Sequence, residues 1–192
     1  MLSGMTSIKL VLLDRDGVVN YDSPDYILSP EQWKPIPGSL EAIAQFKQAG
    51  IKVALCSNQS ALGRGMVDQA MFVSIQQKMV DAVEEAGGAF DYIAYCPHGP
   101  DDGCTCRKPK PGMLLDSIEA VGIGLNKDEI IMIGDSTRDI EAAVAAGVQG
   151  MLVSSGYGDA NVIHEKSKSL MPNIQMHADL AACVPFIVGR EG

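Results

Sequence analysis

Long apolar runs are missing from this sequence. The most apolar stretch near the N-terminus, "VLLD" with Ile8 and Leu10 before it, is far shorter than a signal h-region or the roughly 20 residues of a membrane span. Positive charge is scarce too. Fifteen Lys and Arg stand against 24 Asp and Glu, a formal net charge of −9, which excludes the broad basic face of a nucleic-acid-binding protein. Neither a membrane nor a nucleic acid is therefore an expected partner, and the cytoplasm is the expected compartment. An anionic ligand would need positive charge focused at one place. Cysteine is too sparse and too unevenly placed for a secreted disulfide scaffold, with three of the five between positions 96 and 106. Cys56 and Cys183 lie in apolar surroundings and read as small buried hydrophobes. Repeats, linkers and low-complexity tracts are absent.

What is present is enough for one well-buried domain, since 192 residues are 46% hydrophobic. The expectation is a single domain over 1–192, and a monomer. Short apolar runs alternate with segments of helical period, the pattern of βαβ units. Strands are expected at Ile8–Leu13, Lys52–Cys56, Tyr92–Tyr95, Ile130–Ile133 and Gln149–Val153. Ser39 can N-cap a helix that stops near Gly50, and Asp68 can cap a second carrying Met71, Phe72, Ile75, Met79, Val80 and Val83 as a core stripe. Pro111 suits the first turn of a helix through Val121, and Thr137 to Ala146 reads as another, stopped at Gly147. "NVIHEKSKSLMPN" reads as a loop or frayed helix and "ADLAACVPFIVG" as a last helix. His164 and His177 read as surface residues. The fold class is α/β: a Rossmann-like doubly wound parallel sheet with helices on both faces. The segments 14–50 and 57–90 leave no room for a large cap domain. Water exclusion then falls to the 96–112 loop and to the 22–36 segment with Trp33.

Ligands of such a sheet collect at the carboxyl ends of its strands. The segments there are "DRDG" after the first strand, "SNQS" after the second, a loop with "CRKP" after the third and "GDSTRD" after the fourth. "DRDG" alone is a common turn. Directly after a buried strand, however, Asp14 is held rigidly and Asp16 can point into the same mouth. Asp135, also just past a strand, adds a third carboxylate, a crowd that is costly without a cation. Mg²⁺ takes few protein carboxylates and keeps several waters. Carboxylates with Mg²⁺, a hydroxyl and a lysine meet the needs of phosphoryl transfer: a nucleophile, charge neutralisation and positioning.

The third loop, "CPHGPDDGCTCRKPKPG" at 96–112, supplies Cys96, His98, Cys104 and Cys106, the donor types of a closed structural zinc site. The competing reading, a disulfide, leaves an odd thiol over in a reducing compartment. Four protein ligands leave no position for water, so the zinc folds the loop rather than catalysing. Cys106 abuts Arg107 and Lys108, so the zinc would fix the reach of the two cations that a phosphate needs.

The four segments together resemble the haloacid dehalogenase superfamily of phosphatases over about residues 8 to 155. That resemblance implies that Asp14 is the nucleophile forming an aspartyl-phosphate, and that Asp16 protonates the leaving oxygen and then activates water. It gives Ser57 and Lys108 to the transferring phosphoryl group. It gives Mg²⁺ to Asp14, Asp135 and the Asp16 backbone carbonyl, with Asp139 supporting from behind or through a water. The rival role for Asp139 is a helix first-turn acid favoured by the dipole.

The zinc loop is similar to a small branch of that superfamily that acts on a heptose bisphosphate or on histidinol phosphate. "DRDGVVN" with Asn20, "SNQS" with Ser60 and "CRKPKPGM" through Met113 lie nearer the heptose enzymes. Two departures are Ser57 where Thr is commoner, and "ALGRG" at 61–65 for "GIARG". The implied activity is removal of the 7-phosphate of D-glycero-D-manno-heptose 1,7-bisphosphate, a small-molecule sugar bisphosphate, in lipopolysaccharide precursor synthesis. Implied substrate contacts are Asp22, Ser23, Pro24 and Asp25, then Asn58, Gln59 and Ser60, then Arg107, Lys108 and Ser136. Asp22–Asp25 reads otherwise as a turn around Pro24. The second phosphate could meet Arg107, or Arg64 from the loop after "SNQS", which reads otherwise as an exposed surface residue. The alternatives are a histidinol-phosphate phosphatase, with Asp22 and Asp25 facing the amine, and a non-catalytic zinc-stabilised binding protein.

Overall fold

Strand residues that are apolar without interruption need cover on both faces, and a computed structural model, which describes residues 7–189, provides it. The elements run β1 (Leu10–Leu13), α1 (Ser39–Gln48), β2 (Lys52–Asn58), α2 (Ser60–Gly63), α3 (Gln69–Glu85), β3 (Tyr92–Cys96), α4 (Gly112–Val121), β4 (Ile130–Gly134), α5 (Thr137–Ala146), β5 (Gln149–Val153), α6 (Ala160–Leu170), β6 (Gln175–His177) and α7 (Leu180–Val188). The six strands form one parallel sheet in the order β3-β2-β1-β4-β5-β6.

Successive strand residues point to opposite faces. Val11, Leu13, Val53, Leu55, Ile131 and Ile133 pack beneath α1, α3 and α7, whereas Leu10, Leu12, Ala54, Cys56, Ile130 and Met132 pack beneath α4 and α5. Cys56 and Cys183 are fully buried among these side chains, as expected of small hydrophobes. The sheet is therefore doubly wound. The connections among β1, β2 and β3 build it in one direction and those through β4, β5 and β6 in the other, so the order reverses between β1 and β4. No large insertion interrupts it: a single turn of 3₁₀ helix at Pro30–Gln32 follows β1, and the short α2 follows β2. Among the described residues no helix is long and apolar enough to cross a membrane.

Several local expectations change. Gly38, not Ser39, caps α1, because the Ser39 hydroxyl is spent on the Val19 carbonyl oxygen at 2.6 Å. Asp68 does cap α3, accepting from the Met71 amide at 2.7 Å, but Met71 itself is 39% exposed. The buried stripe of α3 is Phe72, Ile75, Met79 and Val83. Residues 160–170 are a regular helix rather than a loop, because Asp159, two positions before the quoted stretch, accepts from the amides of Asn161 and Val162. The edge strand β6 lacks an apolar pattern and was not expected. Neither histidine is a plain surface residue. His164 Nε2 lies 3.3 Å from the Ile174 carbonyl oxygen, and the His177 ring packs on Phe186 with centroids 4.3 Å apart. Burial pulls the His177 pKa down.

Trp33 is likewise no lid. It is 2% exposed in the main core, and its Nε1 donates to Asn20 Oδ1 at 2.9 Å. Asn20 Nδ2 in turn donates to Asp16 Oδ1 at 2.8 Å. Trp33→Phe opens a void and leaves the buried Asn20 oxygen without its donor, so it should destabilise the chain by about 2–4 kcal/mol in chemical denaturation. A loss below about 1 kcal/mol would show that the Trp33–Asn20 contact carries little of the loop's stability.

Candidate active site

The crevice where β1 and β4 part is where a doubly wound sheet binds ligands. Asp14 follows β1, with its amide donating to the Ile133 carbonyl at 3.0 Å, and Asp135 follows β4. They stand in a cleft of about 210 Å³ that Asp16, Lys108, Ser136 and Asp139 also line. Ligand-capable oxygens of Asp14, Asp135 and Asp139 all lie within 4.8 Å of one another.

Lys108 holds this crowd together. Only 2% exposed, its ammonium lies 3.0 Å from Asp14 Oδ1 and 2.6 Å from Asp139 Oδ1. Burial opposes its charge, but Asp139 and Asp14 together outweigh that and raise its pKa. One cation does not balance three acids. Burial first, with the charges of Asp139 and Asp16 added and that of Lys108 opposing, pushes Asp14 up to about 6. Burial, then Asp139 and Asp14, push Asp135 up to about 8. Carboxylates held so far above their ordinary range, all oxygen donors, fit a hard divalent cation that would restore their charge.

Asp135 is gripped by backbone. A Cβ on Gly17, whose φ is +80°, would come within 2.6 Å of Asp135 Oδ2, and one on Gly156 would overlap the same carboxylate. The Ser155 hydroxyl bonds the Gly17 carbonyl at 2.7 Å, tying the loop after β5 to "DRDG". Asp139 occupies the first turn of α5, as the rival reading had it. It is fully buried beside Lys108, and its Oδ2 accepts from the Ser136 amide and hydroxyl at 3.0 and 2.6 Å, closing a capping box on α5.

Asp16 stands apart from the Asp14–Asp135–Asp139 group. Arg15, 2% exposed, grips it with Nε on Oδ1 and Nη2 on Oδ2, both at 3.0 Å, and Gln59 Nε2 adds a bond to Oδ2 at 2.9 Å. Gln59 also bonds the Ser57 hydroxyl at 2.8 Å, and Ser57 is 1% exposed beneath it rather than in the cleft wall. Asn58 spends its amide on backbone, accepting from the Lys108 amide and donating to the Lys108 carbonyl, each at 3.0 Å. That pair of bonds welds the Lys108 loop to the end of β2.

In the loop after β3, the donor atoms of Cys96, His98, Cys104 and Cys106 lie 3.2–3.7 Å apart along four contacts. Edges of a tetrahedron with ligand distances of 2.0–2.3 Å run roughly 3.3–3.8 Å. No pair forms a disulfide. Burial opposes ionisation of Cys104, yet the Arg107 amide and the neighbouring thiols hold it down at about 7.

Of the remaining anticipated contacts, Asp22, Ser23, Ser60 and Arg107 line the cleft, while Pro24 and Asp25 do not. Arg64 is exposed and outside it, in keeping with a surface residue. Sequence reasoning missed Arg15, Arg138 and Gly156. Arg15 was legible as a cation between two acids, and Arg138 as the residue before Asp139. Gly156 shows itself only through the approach of Asp135.

A family model for haloacid dehalogenase-like hydrolases matches residues 11–147. The chain is 46% identical over 175 residues, 91% of this chain and 97% of the relative, to D-glycero-beta-D-manno-heptose-1,7-bisphosphate 7-phosphatase of Pseudomonas putida. It is 47% identical over 176 residues, 92% and 96% of the two chains, to the enzyme of that name from Pseudomonas aeruginosa. A crystal structure of D,D-heptose 1,7-bisphosphate phosphatase from B. bronchiseptica, complexed with magnesium and phosphate, superposes with a TM-score of 0.86 at 42% identity, covering 95% of this chain and 99% of that one.

The raised carboxylates set a pH dependence. Their ordinary value is 3.8, so the folded chain holds these protons more tightly than the unfolded chain, and the resulting stability is lost as pH rises through about 6 and about 8. Without divalent cation the Tm should fall between about pH 5 and about pH 8.5, and saturating Mg²⁺ should remove most of that fall. A Tm that is flat with pH, or a Mg²⁺ effect equal at both ends, would contradict the repulsion at this site.

Proposed function

Because the chain belongs to the haloacid dehalogenase-like hydrolase family, we propose that it removes the 7-phosphate of D-glycero-D-manno-heptose 1,7-bisphosphate, leaving the sugar 1-phosphate. The observation that carries this is the convergence of Asp14, Asp135 and Lys108 at the sheet's switch point, in a chain 46–47% identical over nearly its whole length to heptose bisphosphate phosphatases. It is a Mg²⁺-dependent phosphoric monoester hydrolase acting in heptose metabolism.

In this reading Asp14 attacks phosphorus. An aspartyl-phosphate bond forms as the bond to the sugar oxygen breaks, and Asp16 delivers a proton to that oxygen. Asp16, now a carboxylate, takes a proton from the water that attacks the aspartyl-phosphate, and phosphate leaves. Arg15 and Gln59 hold the Asp16 carboxyl where it stands, so its acid role asks the side chain to leave Gln59 and turn toward the leaving oxygen. Lys108 serves two ends, placing Asp14 and balancing charge on the phosphoryl oxygens. Ser57, beneath Gln59, reaches the phosphoryl group only if Gln59 moves with Asp16. Mg²⁺, held by Asp14 and Asp135, would supply further charge neutralisation, and Asp139 would act from behind by holding Lys108.

The same reading gives zinc to Cys96, His98, Cys104 and Cys106. The tetrahedral spacing of the donors supports it, as does the position of the last of them, Cys106, two residues ahead of Lys108. Four protein ligands would complete the coordination, so this metal would fold the loop and aim Arg107 and Lys108. The chain is proposed to act as a single phosphatase domain and a monomer, in the cytoplasm, where thiolates stay reduced.

Two experiments test these assignments. Asp14→Asn should lower turnover by about three orders of magnitude or more while the fold persists, on a panel of both heptose 1,7-bisphosphate anomers, fructose 1,6-bisphosphate, histidinol phosphate and an aryl phosphate. A variant retaining over about a tenth of wild-type activity rules out covalent catalysis at Asp14, and a wild-type preference for histidinol phosphate rules out the heptose substrate. Elemental analysis should find one tightly held zinc per chain that Cys104→Ser or Cys106→Ser removes, with activity still requiring Mg²⁺. Zinc-free active protein, or full activity with zinc alone, would overturn the loop assignment.

A further inference from the structure

The cleft's charges do not all find partners within the protein. Four cations border it. Arg15 is committed to Asp16 at 2.9 Å, and Lys108 to Asp14 and Asp139. The other two, Arg107 and Arg138, make no ion pair among the described residues. Arg107 is steadied by a neutral partner, its Nη1 donating to the His98 carbonyl at 2.8 Å. Arg138, exposed in the first turn of α5, makes no hydrogen bond among the described residues, and its field does no more than favour the charged form of Asp22, against burial.

Both unpaired arginines also face a second cavity. It measures about 260 Å³, lies against the Cys/His loop at Gly99, Gly103 and Cys104, and shares Arg107, Lys108 and Arg138 with the cleft. The two spaces are thus joined across two guanidinium groups without a counter-charge, with Lys108 between them, while the acids line the cleft alone. Two like charges left without counter-charge at a joint between cavities call for an anion there, and the planar guanidinium fork suits a phosphate monoester.

We propose that Arg138 is a specificity-determining residue which, with Arg107, clamps the phosphate that is not cleaved, in the cavity between the Cys/His loop and the start of α5. This rests on the bisphosphatase reading. It distributes recognition over two elements of different origin, one arginine on the metal loop and one on the helix behind Asp135. The clamp holds the non-reacting end in substrate and product alike, so the sugar 1-phosphate should inhibit through it.

The test compares Arg138→Gln and Arg138→Lys with wild type on heptose 1,7-bisphosphate, heptose 7-phosphate and an aryl phosphate. Arg138→Gln should lower kcat/KM on the bisphosphate by about 10- to 100-fold, mostly through KM, and by at least about tenfold more than on either monophosphate. The inhibition constant of heptose 1-phosphate should rise in parallel, and Arg138→Lys should keep part of the effect. Equal losses on mono- and bisphosphates, or no loss on the bisphosphate, overturns the clamp. Failure of the underlying reading shows separately, as a wild type that does not prefer the heptose bisphosphate over its 7-monophosphate. In that event fructose 1,6-bisphosphate against fructose 6-phosphate decides Arg138 by the same ratio.

Discussion

Repulsion among buried carboxylates is the constraint around which this molecule is arranged. Asp14, Asp135 and Asp139 converge where water is scarce, and Lys108 neutralises only part of their charge. Such a cluster is stable only if every backbone segment that carries it is rigid, because relaxation would let the acids drift apart to solvent. The strands supply that rigidity for Asp14 and Asp135, a capping box supplies it for Asp139, and the paired Asn58 bonds supply it for Lys108. The close approach of Gly17 and Gly156 to Asp135 belongs to the same demand. Repulsion of this kind is what a bound divalent cation would relieve, which would couple folding to metal binding.

The site has two tiers. On the floor, Asp14 and Asp135 rise from strand ends, Lys108 comes from the loop before α4 and Asp139 from the first turn of α5, and the proposed reading gives them the bond-breaking. On the rim, Arg107 sits on the Cys/His loop and Arg138 on the first turn of α5, where the proposed reading has them meet what the phosphate is attached to. The floor is committed internally, whereas the rim keeps its cations free for a ligand. Lys108 joins the tiers because its loop is bonded to the end of β2 through Asn58.

Much of this was legible in the chain itself, for identifiable reasons. Buried parallel strands announce themselves as unbroken apolar runs, so the residues just past them could be placed at one edge without coordinates. The Cys/His loop was legible because its donors are local in sequence. Long-range matters were not. Nothing adjacent to Ser57 reveals that Gln59 covers it, and nothing near Gly156 reveals that Asp135 presses against it. Trp33 looked like a lid because it lies in a loop, yet Asn20 offered its indole a buried partner and drew it inward. Residues 160–170 hid their helix because the cap, Asp159, lies outside the polar stretch it organises.

The tryptophan has one more implication. It is the only one in the chain, its indole N–H is bonded to Asn20, and Asn20 holds the Asp16 carboxylate. If Asp16 turns during the reaction, one acceptor of the Asn20 amide departs and the electric field at a single fluorophore changes. The one tryptophan is thus linked through a single side chain to the acid proposed to transfer the proton, and its emission would follow that acid's movement in real time without a label.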